Sequence, residues 1–400
     1  MKNKNIFLVM RMQILLAIVL LIITGCGSGS GSGNENGNGN GTPDPAPLAV
    51  GKHSSYEFKQ SAPWVSYDYG QIAIGYADWN QDGKYDYVHG TVSGTTNTAP
   101  IQMLMGDGFG RFGADTTLLP VPVPGVVHAR KITVGDYNGD GVADFFIADH
   151  GFDQFPFPGA SPVLMLSSGG KYIQQSIPNV PVGFHHSASS ADVTNSGKID
   201  IVVMDTTNGA FYLSNDGKGN FTFTRAPLPL DGSGNSLIWA GYYTTEFIDV
   251  DGDGFMDMLV GGHEFQGAVT RVYWGNGTRA FTTANSTALP ADPDYGIVLD
   301  FVAEDTDGDG IKELIVNRTK SNPFYQGFYI QILSQSNRVF TDVSTRIAPV
   351  KSSWPGATAQ WVTWIQLVDT NGDKCLDIRN MNKAANLVFL NNCMGVFSRQ

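Results

Sequence analysis

A nine-residue acidic pattern, D-x-[D/N]-x-D-G-x-x-[D/E], recurs along this chain at intervals close to 57 residues. Its copies are Asp78-Asn80-Asp82-Gly83-Asp86, Asp136-Asn138-Asp140-Gly141-Asp144, Asp249-Asp251-Asp253-Gly254-Asp257, Asp305-Asp307-Asp309-Gly310-Glu313 and Asp369-Asn371-Asp373-Asp377. A weakened copy stands at Asp192-Thr194-Ser196-Gly197-Asp200. The first aspartates are 58, 56, 57, 56 and 64 residues apart. A unit of this length, repeated in tandem, buries its apolar face only by stacking on its neighbours, so the period constrains the architecture before any single residue does.

Carboxylates crowded at alternate positions repel one another unless a cation sits among them, and hard oxygen donors on a short glycine-bent loop suit calcium. Positions 1, 3 and 5 offer side-chain oxygens. Position 7 offers its carbonyl, so its side chain is free to vary: Lys84, Val142, Phe255, Ile311 and Cys375. Position 9 offers a further carboxylate. About five calcium sites are expected, and the copy with Thr194 and Ser196 lacks two of the acids a sixth would use. The loops are not EF-hands, because position 12 is apolar in Ile147 and Val260, where that motif needs Glu.

Alternation of period two on both sides of each loop reads as strands, as in Ile132-Thr133-Val134 before one and Phe145-Phe146-Ile147 after it. Each repeat shows four such segments, the last opened by an aromatic residue: Phe112, Tyr172, Phe221, Phe281, Phe340 or Phe397. Helical periodicity is essentially absent after residue 50. An all-β propeller of six four-stranded blades is therefore predicted, since seven would need residues the chain does not have. Tyr56–Ser61, ahead of the first repeat, is expected to close the ring by supplying the outer strand of the last blade. With the hairpin turning at Ala384, Cys375 and Cys393 fall opposite each other and a disulfide between them is predicted, the alternative being two buried thiols.

The loops and their spacing resemble the FG-GAP and VCBS-type repeats of bacterial secreted proteins and of integrin α-subunit propellers, over about 345 of the 400 residues. The resemblance implies calcium on one rim, held by the loops joining strands 1 and 2. It does not imply one activity, because such propellers include adhesins, glycan binders and some enzymes.

Lys2, Lys4 and Arg11 precede the apolar run Met12–Ile23, which is short for a membrane span and reads as a secretion signal over residues 1–25. Ile23-Thr24-Gly25-Cys26 resembles a bacterial lipobox, which implies a diacylglycerol on Cys26, and Gly27 after it favours the outer membrane. Residues 26–50 hold that cysteine and a tether, whose Gly/Ser/Asn-rich and then Pro-rich stretch 27–47 has a reach of roughly 25 Å r.m.s.. Residues 51–400 form the propeller. The net charge of −12, with no basic stripe, argues against nucleic acid as a partner.

Residues six to ten before each first aspartate lie near the propeller axis on the face away from the acidic loops. They give a ligand face of Tyr69, His128, His186, Tyr242 (with Tyr243), Tyr295 and Trp361, joined by His89, His150, His263, Glu264, Arg318, Lys320 and Lys383 from the strand 2–3 connections. Ring faces with a few polar edges suit a glycan or a protein side chain. The plain alternative is that these rings only pack the blade tops. A calcium-stabilised, membrane-anchored binding or adhesion module is the leading reading. The alternative is a surface polysaccharide-degrading enzyme using His128, Arg130, His150, Asp153, His185 and His186. No nucleophile-elbow, zincin or phosphate-loop motif accompanies that cluster.

Overall fold

The computed structural model describes residues 43–51, 53–65, 73–225, 228, 241–348, 351–352, 361–381 and 387–400. Six antiparallel sheets follow one another along the chain. Blade 1 comprises Ala73–Ala77, Asp86–Gly90, Gln102–Gly106 and Phe112–Ala114; blade 2, Ala129–Gly135, Asp144–Asp149, Val163–Ser168 and Lys171–Gln175; blade 3, His185–Ala191, Asp200–Asp205, Phe211–Asn215 and Phe221–Thr224. Blade 4 comprises Tyr242–Ile248, Asp257–Gly262, Arg271–Tyr273 and Ser286–Ala288; blade 5, Ile297–Glu304, Glu313–Thr319, Phe328–Ser336 and Val339–Asp342; blade 6, Ile365–Val368, Asp377–Asn380, Val388–Asn391 and Phe397–Arg399. The fold is a six-bladed β-propeller. Among the described residues no helix is long and apolar enough to cross a membrane. The lipobox cysteine Cys26, Tyr69 and Lys383 lie outside the described residues.

Alternate residues of the second strands point to opposite neighbours, which is why those strands read as unbroken apolar runs. In blade 2, Phe145 and Ile147 join the core shared with blade 1, and Phe146 and Ala148 join the core shared with blade 3. Further cores fill the seam between blades 3 and 4 and the seams among blades 4, 5 and 6. The seam between blades 6 and 1 is covered by Ala62 and Val65 against Tyr76, Tyr85, Tyr87 and Met381. Above it the Arg379 guanidinium lies 3.7 Å from the Trp64 ring centroid.

Ring closure departs from the sequence expectation. Tyr56–Ser61 adds no strand to blade 6; Ser55–Ser61 is an α-helix, and all four principal strands of blade 6 come from its own segment. The added outer strand is Ile347–Ala348, paired in parallel with Phe397–Arg399. Tyr56 and Phe58 at alternate positions read as strand, but Ser54 and Glu57 form a reciprocal capping box that starts a helix instead. Phe281 likewise precedes a 3-10 turn, with the fourth strand of blade 4 beginning at Ser286.

That helix occupies the propeller axis. It packs on the first strands of blades 1, 2, 3, 4 and 6, and Tyr56 reaches blade 5. The Tyr56 hydroxyl donates to the Ala303 carbonyl at 3.0 Å and accepts from the Ala303 amide at 2.8 Å. Lys59 Nζ lies 3.0 Å from Asp300 Oδ2, and Lys131 Nζ pairs with Glu246, which also accepts from Ser189 Oγ at 3.1 Å. Two lysines thus match two buried carboxylates, the condition under which charge is tolerated in a core. Cys375 and Cys393 form a disulfide with Cα atoms 5.2 Å apart, tying the last acidic loop to the neighbouring hairpin.

Tyr56→Phe removes the acceptor of the buried Ala303 amide and the donor to its carbonyl. The variant is expected to lose about 1–3 kcal/mol in a urea titration; an unchanged midpoint would mean that the axial helix does not brace blade 5.

Candidate functional site

Two faces carry chemistry. On one, every first strand runs into its acidic loop. The first aspartate folds the loop around itself: Asp78 accepts from the amides of Asp82 at 2.9 Å and Gly83 at 2.8 Å, and Asp136 from Gly139 at 2.7 Å and Gly141 at 2.9 Å. The sixth position needs a left-handed backbone, supplied by Gly83 at φ 82° and by Lys374 at φ 72° in the last copy.

Position 9 is first of all a staple. Asp86 accepts from the Trp79 amide at 3.0 Å and from Gly106, at the end of the third strand, at 2.8 Å. Asp144 does the same with Tyr137 at 2.7 Å and Ser167 at 2.6 Å, Asp257 with Val250 at 2.9 Å and Gly275 at 2.8 Å, and Asp377 with Thr370 at 2.9 Å and Asn391 at 2.8 Å. Glu313 holds the Thr306 amide at 3.0 Å. Burial pushes the Asp86 carboxyl up to about 6 and those of Asp144 and Asp257 up to about 7, against the pull of the amide bonds.

The residues fit a cation best in blades 4 and 5. One oxygen from each of Asp249, Asp251 and Asp257 lies within 4.8 Å of the others, as do those of Asp305, Asp307 and Glu313. Asp249 Oδ1 is buried and, among the described residues, no donor reaches it. Asp373 gathers instead with Cys375 and Cys393, whose sulfurs are bonded to each other.

Three arginines that the sequence pattern did not single out reach this rim. Arg338 lies 2.6 Å from Asp251 and 2.9 Å from Asp253, and Arg346 lies 3.0 Å from Asp307. Arg279 grips the fully buried Asp200 at 2.7 and 3.2 Å, in the blade whose loop has lost acids. There Thr194 and Ser196 close the loop hydroxyl to hydroxyl at 2.8 Å. Arg279 and Arg338 both stand two residues before the aromatic of their hairpin, so aligning the repeats on Phe281 and Phe340 would have found them.

The opposite mouth is built by a backbone device. In blades 2 to 5 the pairing of first and second strands slips by one residue, and the residue left over is Arg130, His186, Tyr243 or Leu299. Each stands six residues before its first aspartate. A bulge re-aims a side chain that the pleat would otherwise turn into a blade seam. The rings form an arc: His128 on His150 with centroids 5.1 Å apart, His150 on His186 at 4.3 Å, His186 on Tyr243 at 4.7 Å, and Tyr243 stacked on His263 at 3.9 Å. His263 meets the Tyr325 hydroxyl at 3.2 Å, and Tyr325 packs on Trp361 with centroids 4.9 Å apart. The Nε2 atoms of His150 and His186 are 2.9 Å apart.

The structure thus brings His128, His150, His186 and Trp361 to the mouth and leaves others out. Tyr242 is buried, bonded to both backbone groups of Val269, and its neighbour Tyr243 takes the rim position. Tyr295 is buried against Tyr329. His185 turns into blade 3, with Nδ1 3.1 Å from the Asp149 carbonyl, Nε2 3.7 Å from Asp205 Oδ2 and its ring on Phe211, apart from the His150–His186 contact. His89 is buried beside Tyr87, and Arg318 is buried on Glu264 at 2.8 Å. Desolvation holds the imidazoles neutral: His128 and His263 are pushed down to about 3, and His150 and His186 lie well below the ordinary value.

Residues 192–260 and 249–316 match the family model described as FG-GAP-like repeat. Residues 192–316 are thus FG-GAP-like repeats within a six-bladed β-propeller. The matched residues run from the weakened loop of blade 3 through blade 4 to the second strand of blade 5, so the FG-GAP unit and the blade share one period. Among solved structures, this chain is similar to one described as "Crystal structure of BBS1N in complex with ARL6DN, soaked with lead", at 11% identity and a TM-score of 0.39, covering 80% of this chain and 91% of that one. No curated protein matches it.

His263 carries a pH prediction. The unfolded imidazole takes up its proton near pH 6.5 and the folded one only at about 3, so stability present above pH 6.5 is lost as pH falls between those values. His263→Gln should show a shallower acid loss in urea midpoints, by up to about 1.4 kcal/mol per pH unit. Identical slopes would mean that His263 is protonated in the folded state.

Proposed function

We propose that this propeller is a calcium-stabilised binding module, held at the outer membrane through Cys26, that takes a glycan or protein ligand on the face opposite its acidic loops. The observation that carries the reading is the set of repeat-equivalent bulges, which in blades 2 to 4 brings Arg130, His186 and Tyr243 to one mouth while the acidic loops occupy the other rim. Function of this kind belongs on connections held by a rigid scaffold.

Calcium would be held by side-chain oxygens of Asp78, Asn80, Asp82 and Asp86 in blade 1, of Asp136, Asn138, Asp140 and Asp144 in blade 2, and of Asp249, Asp251, Asp253 and Asp257 in blade 4. Asp305, Asp307, Asp309 and Glu313 would serve in blade 5, and Asp369, Asn371, Asp373 and Asp377 in blade 6. The ion would supply charge compensation where burial otherwise drives position-9 acids toward protonation, at Asp86, Asp144, Asp257 and Glu313. Blade 3 has Arg279 in that place.

The anchor fits the same picture. Asp44 lies on the hairpin of blade 1, its amide 2.8 Å from the Gly108 carbonyl and its carboxylate 2.7 Å from the Gly110 amide. The described chain therefore starts on the acidic-loop rim. A lipid upstream would turn that rim toward the membrane and leave the ring-lined mouth facing outward.

Metal that binds only the folded state stabilises it by about 2.7 kcal/mol per site at a hundred times its dissociation constant. Chelator is expected to lower Tm by several degrees, with calcium found by elemental analysis; an unaffected melting curve and no metal would end the calcium reading. A glycan and protein array run with and without chelator tests the mouth. Ligand retained without turnover supports a binding module, and product release abolished by His150→Ala with His186→Ala would overturn it in favour of an enzyme.

A further inference from the structure

The charge at the mouth narrows the ligand. Arg130 is the bulge residue of blade 2, between Ala129 paired with Asp149 and Lys131 paired with Ala148. Its guanidinium has five donors. Among the described residues no carboxylate lies within ion-pair distance of it and none of its donors is taken. It lines the channel cavity with Lys59, Lys131, Glu246 and Trp364. The other charges there are already matched: Glu246 by Lys131 and Lys59, and Asp300 by Lys59. Arg130 is the cation left over.

We infer that the mouth recognises an acidic glycan, with Arg130 as the anchor for the carboxylate of a uronic acid residue. This rests on the binding reading above and names its ligand class. A cationic group would be repelled by Arg130, and a neutral one would desolvate the guanidinium without pairing it. An Arg–carboxylate pair closes two parallel hydrogen bonds, which gives direction as well as attraction. The cavity beneath Arg130 is about 30 Å³, enough for little more than water, so the body of the ligand lies outside in the mouth.

There the neighbouring surfaces suit a pyranose. Tyr243, Tyr325 and Trp361 are half-buried rings whose exposed parts can meet the C–H side of a sugar, and neutral His128, with Nδ1 of His186, can meet its hydroxyls. Asp153 is the opposing group. It is close enough to feel Arg130 but makes no ion pair with it, and burial raises its carboxyl above the ordinary range. Removing that charge should favour an anionic ligand.

The test is calorimetry on the folded, calcium-loaded protein. The probes are oligomers of glucuronic, galacturonic and mannuronic acid, their methyl esters, neutral oligosaccharides and a polyglutamate peptide. At least one acidic oligomer is expected to bind. Methyl esterification and Arg130→Gln should each weaken it tenfold or more, Arg130→Lys less, and Asp153→Asn should tighten it. Arg130→Gln should keep the wild-type Tm, because no described partner is lost. Methyl esters binding as well as acids, Arg130→Gln without effect, or loss on Asp153→Asn would each overturn the inference. Binding of neutral sugars alone would overturn it and leave the binding reading standing. Binding of polyglutamate alone would move the carboxylate to a protein partner and overturn the glycan assignment. Binding of no probe would also overturn it.

Discussion

A buried carboxylate accepting two main-chain amides is the interaction on which the rest of this propeller depends. Asp86, Asp144, Asp257 and Asp377 each join the second residue of their loop to the end of the third strand. A loop of this shape has amides pointing inward that no strand can satisfy, and leaving one unpaired costs about 1–3 kcal/mol. The same side chain also bears a charge in a desolvated place, so loop and counter-charge go together. In blade 3 the counter-charge is visible: Arg279 sits on Asp200, and the loop's missing acids are replaced by paired hydroxyls.

The second constraint is the axis. Six first strands around a channel present backbone edges and side chains with nothing opposite them. Ser55–Ser61 fills that space, and its Tyr56, Lys59 and Ser55 find partners in blades 5, 4 and 3. A plug reaching several blades does by packing what an exchanged strand does by pairing. Blade 6 therefore keeps its own outer strand, and the seam to blade 1 is covered by the chain leaving the helix.

The two rims divide the work. One is stiffened by short loops whose acids are consumed in holding the blades. The other carries longer connections and bulges, where side chains are released from the seams. Arg130, His186 and Tyr243 come from successive blades, and their shared offset from the acidic loop makes the mouth a product of the same repeat as the rim.

The amino-acid pattern by itself determined the period, the strand order within each repeat, the blade number and the acidic loops, because all of these are local and recur. The partnership of Cys375 and Cys393 was also open to it, since a single hairpin register brings them opposite. It misjudged Tyr56–Ser61, where an alternation of two aromatics outweighed the Ser54–Glu57 capping box. It placed Tyr242 and Tyr295 in the mouth because counting residues back from an aspartate cannot see a bulge. Only the tertiary structure decided which side chain each bulge releases, that His185 faces the blade interior while His186 meets His150, and that arginines of one repeat neutralise the acids of another. Those outcomes rest on contacts between segments tens of residues apart, and such contacts leave no mark in the local spacing of either partner.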